Sequence, residues 1–207
     1  MNHKNPCLPR SYRRILERSQ AVAFGMNSDV LTGSLLRTLV ATKPGGTFLE
    51  LGTGCGLGTC WMLDGMDASA TLTSVDVDPT TQAIAREELG SDPRLRLVLE
   101  DGGAFLSKTS DEFDLIYADA WPGKYSDLGR ALSLVKRGGI YLVDDMLPQP
   151  NWPDDHAPKA AALIDTLSAL QEFQVTPLEW STGLMICVRA DRVRSTGSIA
   201  LVIDSQS

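Results

Sequence analysis

"FLELGTGCGLGT", Phe48 to Thr59, decides how this chain is read. An apolar run carries an acid, Glu50, and is followed by glycines at alternate positions: Gly52, Gly54, Gly56 and Gly58. A strand, a glycine turn and a helix opening near Leu57 let backbone approach a ligand where side chains would obstruct it. The glycines alone do not name the ligand, because such a turn serves several nucleotide-like cofactors or close packing alone.

Outward from this loop, short apolar runs alternate with helical segments, the signature of parallel βαβ units. Strands are expected at "TFLEL", "TLTSVDV", "LRLVLE", "FDLIYAD", "GGIYLVDD", "FQVTPLEW" and "GLMICVRA". Helices fit near residues 57–66, 80–90, 102–108, 124–136 and 157–171. Only "STG" separates the last two strands, so they form an antiparallel hairpin. The expected fold is α/β: a Rossmann-like, seven-stranded mixed sheet of five parallel strands plus the hairpin, with helices on both faces. Ahead of it, "SYRRILERSQAVAF" has amphipathic spacing, and "MNSDVLTGSLLRTLVA" offers Ser28 or Asp29 as an N-cap before "TKPGG" stops it. The expectation is one domain over 1–190, with an N-terminal helical layer (1–44), a core (45–190) and a tail (191–207) whose "IALVI" suits an edge strand or an interface.

Composition narrows the function. A chain of 207 residues with 43% apolar and 22% charged residues is ordinary for a globular protein. A formal net charge of -7 argues against nucleic acid as a partner and for small molecules. No stretch has the length of a membrane span and the start lacks the apolar core of a signal peptide, so the expected location is cytoplasmic. Cys7, Cys55, Cys60 and Cys187 show no metal or disulfide spacing.

The discriminating partner of the loop is Asp76 in "SVDVDP", at the end of the second strand, where a carboxylate can accept hydrogen bonds from ribose hydroxyls. Nicotinamide enzymes and S-adenosylmethionine enzymes both use such an acid. The spelling "LELGTGCGLG" resembles motif I of class I S-adenosylmethionine-dependent methyltransferases, whose fold also ends in an antiparallel hairpin. That resemblance implies cofactor contacts from Glu50, Gly52, Thr53, Gly54, Gly56, Asp76, Val77, Asp101, Gly102 and Asp119, with Asp101 of "LVLEDGGAFL" at the adenine amine.

Two later strand ends are acidic: "FDLIYADAW" ends at Asp119 and "GGIYLVDDM" at Asp144 and Asp145. In the expected sheet these carboxylates converge, and three together are hard to keep ionised without a cation. Mg2+, Ca2+ or Mn2+ suits such oxygen ligands. Here the chain resembles the cation-dependent O-methyltransferases of the catechol and caffeoyl-CoA type, in which Asp119 and Asp144 match and Asp145 stands where Asn is usual. The resemblance implies methyl transfer to a small, catechol-like hydroxylated acceptor, with Asp119, Asp144 and Asp145 as metal ligands and Asp119 and Lys124 as catalytic residues. In that family a Lys soon after the first Asp helps deprotonate the substrate; here Pro122 stands three residues on and Lys124 five. His156 and Tyr125 are weaker candidates for the proton, and Trp152 could cover an aromatic acceptor. A homodimer is also implied. The alternatives are a metal-independent methyltransferase, a non-catalytic S-adenosylmethionine-binding module and an NAD-type oxidoreductase.

Overall fold

The computed structural model describes residues 7–149, 152–153 and 155–190. Two helices, α1 (Tyr12–Ala21) and α2 (Val30–Ala41), precede the sheet. Then β1 (Thr47–Leu51), α3 (Leu57–Gly65), β2 (Thr71–Asp76), α4 (Pro79–Leu89), β3 (Leu95–Leu99), α5 (Gly102–Lys108) and β4 (Phe113–Ala118) alternate. A short turn, α6 (Trp121–Lys124), and α7 (Leu128–Ser133) lead to β5 (Val135–Val143); α8 (His156–Ser168), β6 (Phe173–Leu178) and β7 (Leu184–Arg189) follow.

The strands lie in the order β3-β2-β1-β4-β5-β7-β6. β1 to β5 pair in parallel, and β7 runs antiparallel to both β5 and β6. This is the expected fold class. Chain order reverses between β1 and β4, so a crevice opens past their carboxyl ends, where Leu51 lies opposite Ala118.

Each sheet face carries its own apolar core. On one face Trp61, Met62 and Leu36 are fully buried, with α1, α2 and α3 packed together. Gly33 makes room there, since a Cβ at that position would sit 2.2 Å from the Trp61 ring. On the other face Leu106, Leu167 and Phe113 belong to the core beneath α5, α7 and α8. Full burial of each such side chain contributes about 1.5–3 kcal/mol.

Local signals explain most boundaries. The Asp29 carboxylate caps α2 by accepting from the Leu31 and Thr32 amides, and Asp78 with Pro79 opens α4. The helix expected over 124–136 is a correction. Asp127 adopts a left-handed backbone (φ 55°), only Leu128–Ser133 is helical, and β5 begins at Val135. The tail 191–207, including "IALVI", lies outside the described residues. No described helix is long and apolar enough to cross a membrane.

Candidate active site

The glycine loop leaves β1 with Gly52 at φ 103° and Gly56 at φ 95°, both in the region that L side chains avoid. At Gly52 a Cβ would lie 2.5 Å from the Asp119 carbonyl, so loop and β4 end can meet only through glycine. The Gly54 amide donates to Asp76 Oδ2 at 2.7 Å, and Thr53 Oγ1 and Ser74 Oγ share a hydrogen bond of 2.6 Å. The loop is thereby fixed to β2.

Beneath it, Glu50 is 1% exposed. Its Oε2 accepts from the Thr59 and Ser74 hydroxyls, while Oε1 has no partner. Burial, with the Asp76 charge adding a smaller push, raises the Glu50 carboxyl to about 7. A Cβ at Gly58 would lie 2.5 Å from Glu50 Oε1, so only glycine fits against that oxygen.

Above the loop lies a cleft of about 660 Å³. Gly52, Thr53, Gly54, Asp76, Val77 and Asp119 line it together with Asp144 and Asp145. Val77 is 68% exposed, an apolar side chain left open at the cleft edge. Phe24, Met26 and Asn27 close it from the N-terminal side, and Trp152 and His156 from the α8 side. Its lining holds six aspartates (Asp29, Asp76, Asp78, Asp119, Asp144 and Asp145) and, among the described residues, no Lys or Arg.

Besides the buried Glu50, which lies beneath the loop, three expected cofactor contacts lie elsewhere. Asp101 caps α5, accepting from the Ala104 amide at 2.9 Å. Gly102 abuts Pro122, and Gly56 packs on Ala85 and Leu89 of α4. None of the three is in the cleft lining.

The acidic strand ends do converge. Asp144 Oδ2 accepts from the Tyr117 hydroxyl at 2.6 Å. Its Oδ1 accepts from the Thr182 hydroxyl and from the Asp145 amide. Asp119 Oδ2 accepts longer bonds from Tyr117 at 3.3 Å and Ser28 at 3.4 Å. Burial, then the neighbouring Asp144 charge, pushes the Asp119 carboxyl well above the usual carboxylate range; burial and Asp145 raise Asp144 as well. Asp145 sits at φ 58°, a left-handed conformation that Asp and Asn tolerate best among L residues with a Cβ. That preference accounts for either residue at this turn.

Lys124 is 5% exposed. Its Nζ donates to the Asp144 carbonyl at 2.9 Å and stands 3.7 Å from Asp119 Oδ1 and 3.6 Å from Asp145 Oδ2. It does not line the cleft but borders a neighbouring hollow of about 560 Å³ with Trp121, Tyr125 and Lys159. Among the described residues, no group of three or more His, Cys, Asp or Glu side chains is placed to hold a metal ion.

His156 lies 4.2 Å from Trp152 and is stacked on Trp121 at 5.6 Å between ring centres. Its Nε2 is 3.1 Å from the Tyr125 hydroxyl. Burial and the Lys124 charge lower its proton affinity below the ordinary histidine value, so the ring is neutral near pH 7.

Sequence reasoning missed Ser28, Tyr117 and Thr182 as site residues. Tyr117 carries the one weak signal, since it lies two residues before Asp119 on β4 and in register with Glu50 of β1. Thr182, in the β6–β7 turn, reaches Asp144 across 38 positions of sequence.

Sheet order, glycine loop and acidic cleft together define a Rossmann-like fold with a cleft at the point where strand order reverses. Residues 49–146 match the family described as a methyltransferase domain. A provisionally named O-methyltransferase of Mycolicibacterium vanbaalenii is 30% identical over 150 residues, covering 69% of this chain and 66% of that protein. One from Mycobacterium ulcerans is 31% identical over 133 residues, covering 61% and 59%. The match thus spans about six tenths of the length of such curated relatives. Among solved structures, the Bacillus cereus O-methyltransferase in complex with S-adenosylhomocysteine aligns with a TM-score of 0.75 at 18% identity, over 89% of this chain and 92% of that one. The Streptomyces achromogenes O-methyltransferase of tomaymycin synthesis, in complex with S-adenosylmethionine, gives 0.75 at 16%, over 87% and 90%. At those identities the structural likeness is one of fold. Over residues 49–146 the chain is similar to a methyltransferase domain.

Proposed function

We propose that the chain is an S-adenosylmethionine-dependent methyltransferase acting on a hydroxyl oxygen of a small aromatic acceptor. The observation that carries this reading is the acidic composition of the cleft, with Asp29, Asp76 and Asp78 besides the buried Asp119 and Asp144 and no Lys or Arg in its described lining. A cationic sulfonium cofactor suits that lining, whereas the pyrophosphate of a dinucleotide would meet repulsion. The complexes formed by the Bacillus and Streptomyces relatives support the same cofactor.

The residues present fit that cofactor. Glu50 Oε1, buried and unpartnered, suits the amino group of its amino-acid end. Asp76 accepts from the Gly54 and Asp78 amides, one on each oxygen, and each oxygen keeps a lone pair for a ribose hydroxyl, while Val77 offers apolar cover at the cleft edge. Bound S-adenosylmethionine supplies a sulfonium methyl open to in-line attack by oxygen.

His156, lining the cleft beside Trp152, suits the role of taking the acceptor hydroxyl's proton, and the indole suits cover of an aromatic ring. Lys124 suits that role less, because it lies off the cleft with acceptors already around its amine. Asp119 serves to hold Lys124 and Tyr117.

The divalent cation implied by the family resemblance does not fit the side chains as they stand. Both Asp144 carboxylate oxygens are engaged by Tyr117, Thr182 and the Asp145 amide, and the Lys124 amine lies among the remaining oxygens. The proposed transfer has no metal step. Homodimeric assembly and a cytoplasmic setting rest on resemblance and composition alone.

The test is labelled methyl transfer from S-adenosylmethionine to catechol and a panel of hydroxylated aromatics, with and without chelator. Acceptor-dependent transfer supports the proposal. Tight S-adenosylhomocysteine binding without transfer to any acceptor would leave a cofactor-binding module instead.

A further inference from the structure

We infer that the Lys124 ammonium is the site's resident cation, standing in the place where Asp119 and Asp145 would otherwise hold a divalent metal. An ammonium carries three donors. Three oxygens surround this one: the Asp144 carbonyl at 2.9 Å, Asp145 Oδ2 at 3.6 Å and Asp119 Oδ1 at 3.7 Å.

The chain is built to deliver it. Pro122 (ψ 133°) and Gly123 (φ 93°) break the helical path of α6. A Cβ at Gly123 would lie 2.7 Å from Leu51, so only glycine lets the turn press this far inward. The buried Tyr141 hydroxyl donates to the Gly123 carbonyl, and the Gly123 amide donates to the Ser126 carbonyl at 2.7 Å, which fixes the turn. A lysine on an extended loop would wander; this one is buried and aimed. The extra negative charge of Asp145, where the resembled family has Asn, faces the same amine.

The inference concerns the site of the proposed methyl transfer and rests on that reading only for what the cation would do to an acceptor. Its test needs no turnover. Mn2+ is titrated into the wild-type chain and into Lys124→Ala and Lys124→Gln, with free Mn2+ read by electron paramagnetic resonance; S-adenosylhomocysteine binding and far-ultraviolet circular dichroism show whether each variant is folded. The expected result is no Mn2+ binding in the millimolar range by the wild type and at least a tenfold gain in a folded variant, abolished by adding Asp119→Asn. Wild-type Mn2+ binding that Asp119→Asn removes would overturn the inference. So would the absence of binding in both folded variants, which would reduce the lysine to a structural ion pair. Transfer to an acceptor in chelator is measured separately, so a failed function proposal is distinguishable from a failed cation proposal.

Discussion

Glu50→Gln should make the unliganded protein more stable at alkaline pH while weakening its grip on the cofactor. Glu50 is buried with one oxygen unpartnered, and burial lifts its carboxyl from an ordinary 4.5 to about 7. A folded-state proton affinity above the unfolded one contributes stability that is fully present below the unfolded value and is lost as pH rises through the folded one. At about 1.4 kcal/mol for each pH unit between 4.5 and about 7, the wild type should lose about 3 kcal/mol that the glutamine variant, which cannot ionise, does not lose. Urea unfolding of both proteins, followed by tryptophan fluorescence at about pH 5, 6, 7 and 8, reads this as a difference, and the titrations of Asp119 and Asp144 largely cancel in it. Saturating S-adenosylhomocysteine should recover stability in the wild type at about pH 8, because the cofactor's ammonium partners the carboxylate, and should recover little in the variant. A wild-type minus variant difference that stays flat across this range would refute the buried-carboxyl argument.

Asp76→Ala removes the ribose acceptor and the Gly54 anchor together, and calorimetry should show S-adenosylhomocysteine affinity falling by about 10- to 100-fold, the loss expected for charge-assisted hydrogen bonds. Gly52→Ala forces a Cβ against the Asp119 carbonyl at an unfavourable φ, so thermal unfolding should report a loss of more than about 1 kcal/mol. Tyr117→Phe leaves the buried Asp144 oxygen short of a donor and should cost about 1–3 kcal/mol in urea unfolding. His156→Gln should lower the transfer rate by about 10²- to 10⁴-fold, and the wild-type rate should rise with pH only below the ordinary histidine range, because the ring is already neutral above it.

The strands and the loop were legible because local signals set them: short apolar runs between glycine-rich turns, and a hairpin with no room for a crossover. Asp76, Asp119, Asp144 and Asp145 followed, since strand ends meet at one sheet edge once the order is known. The stretch 124–136 misled because "KYSDLGRALSLVKRGG" has helical apolar spacing, while the break depends on single backbone conformations at Gly123 and Asp127. The fate of Lys124 was illegible for the same reason. Spacing from Asp119 does not tell that a Pro-Gly turn pinned by Tyr141 drives the amine into the carboxylates. Tyr117 reads as core from its strand position, and only the observed contacts show its hydroxyl bonded to both aspartates.

Isothermal titration of the chain with S-adenosylhomocysteine and, in parallel, with NAD+ tests the central claim most directly. The acidic cleft predicts micromolar-range binding of the former and no detectable heat with the latter. Binding of NAD+ with equal or greater affinity, or no binding of S-adenosylhomocysteine, would contradict it.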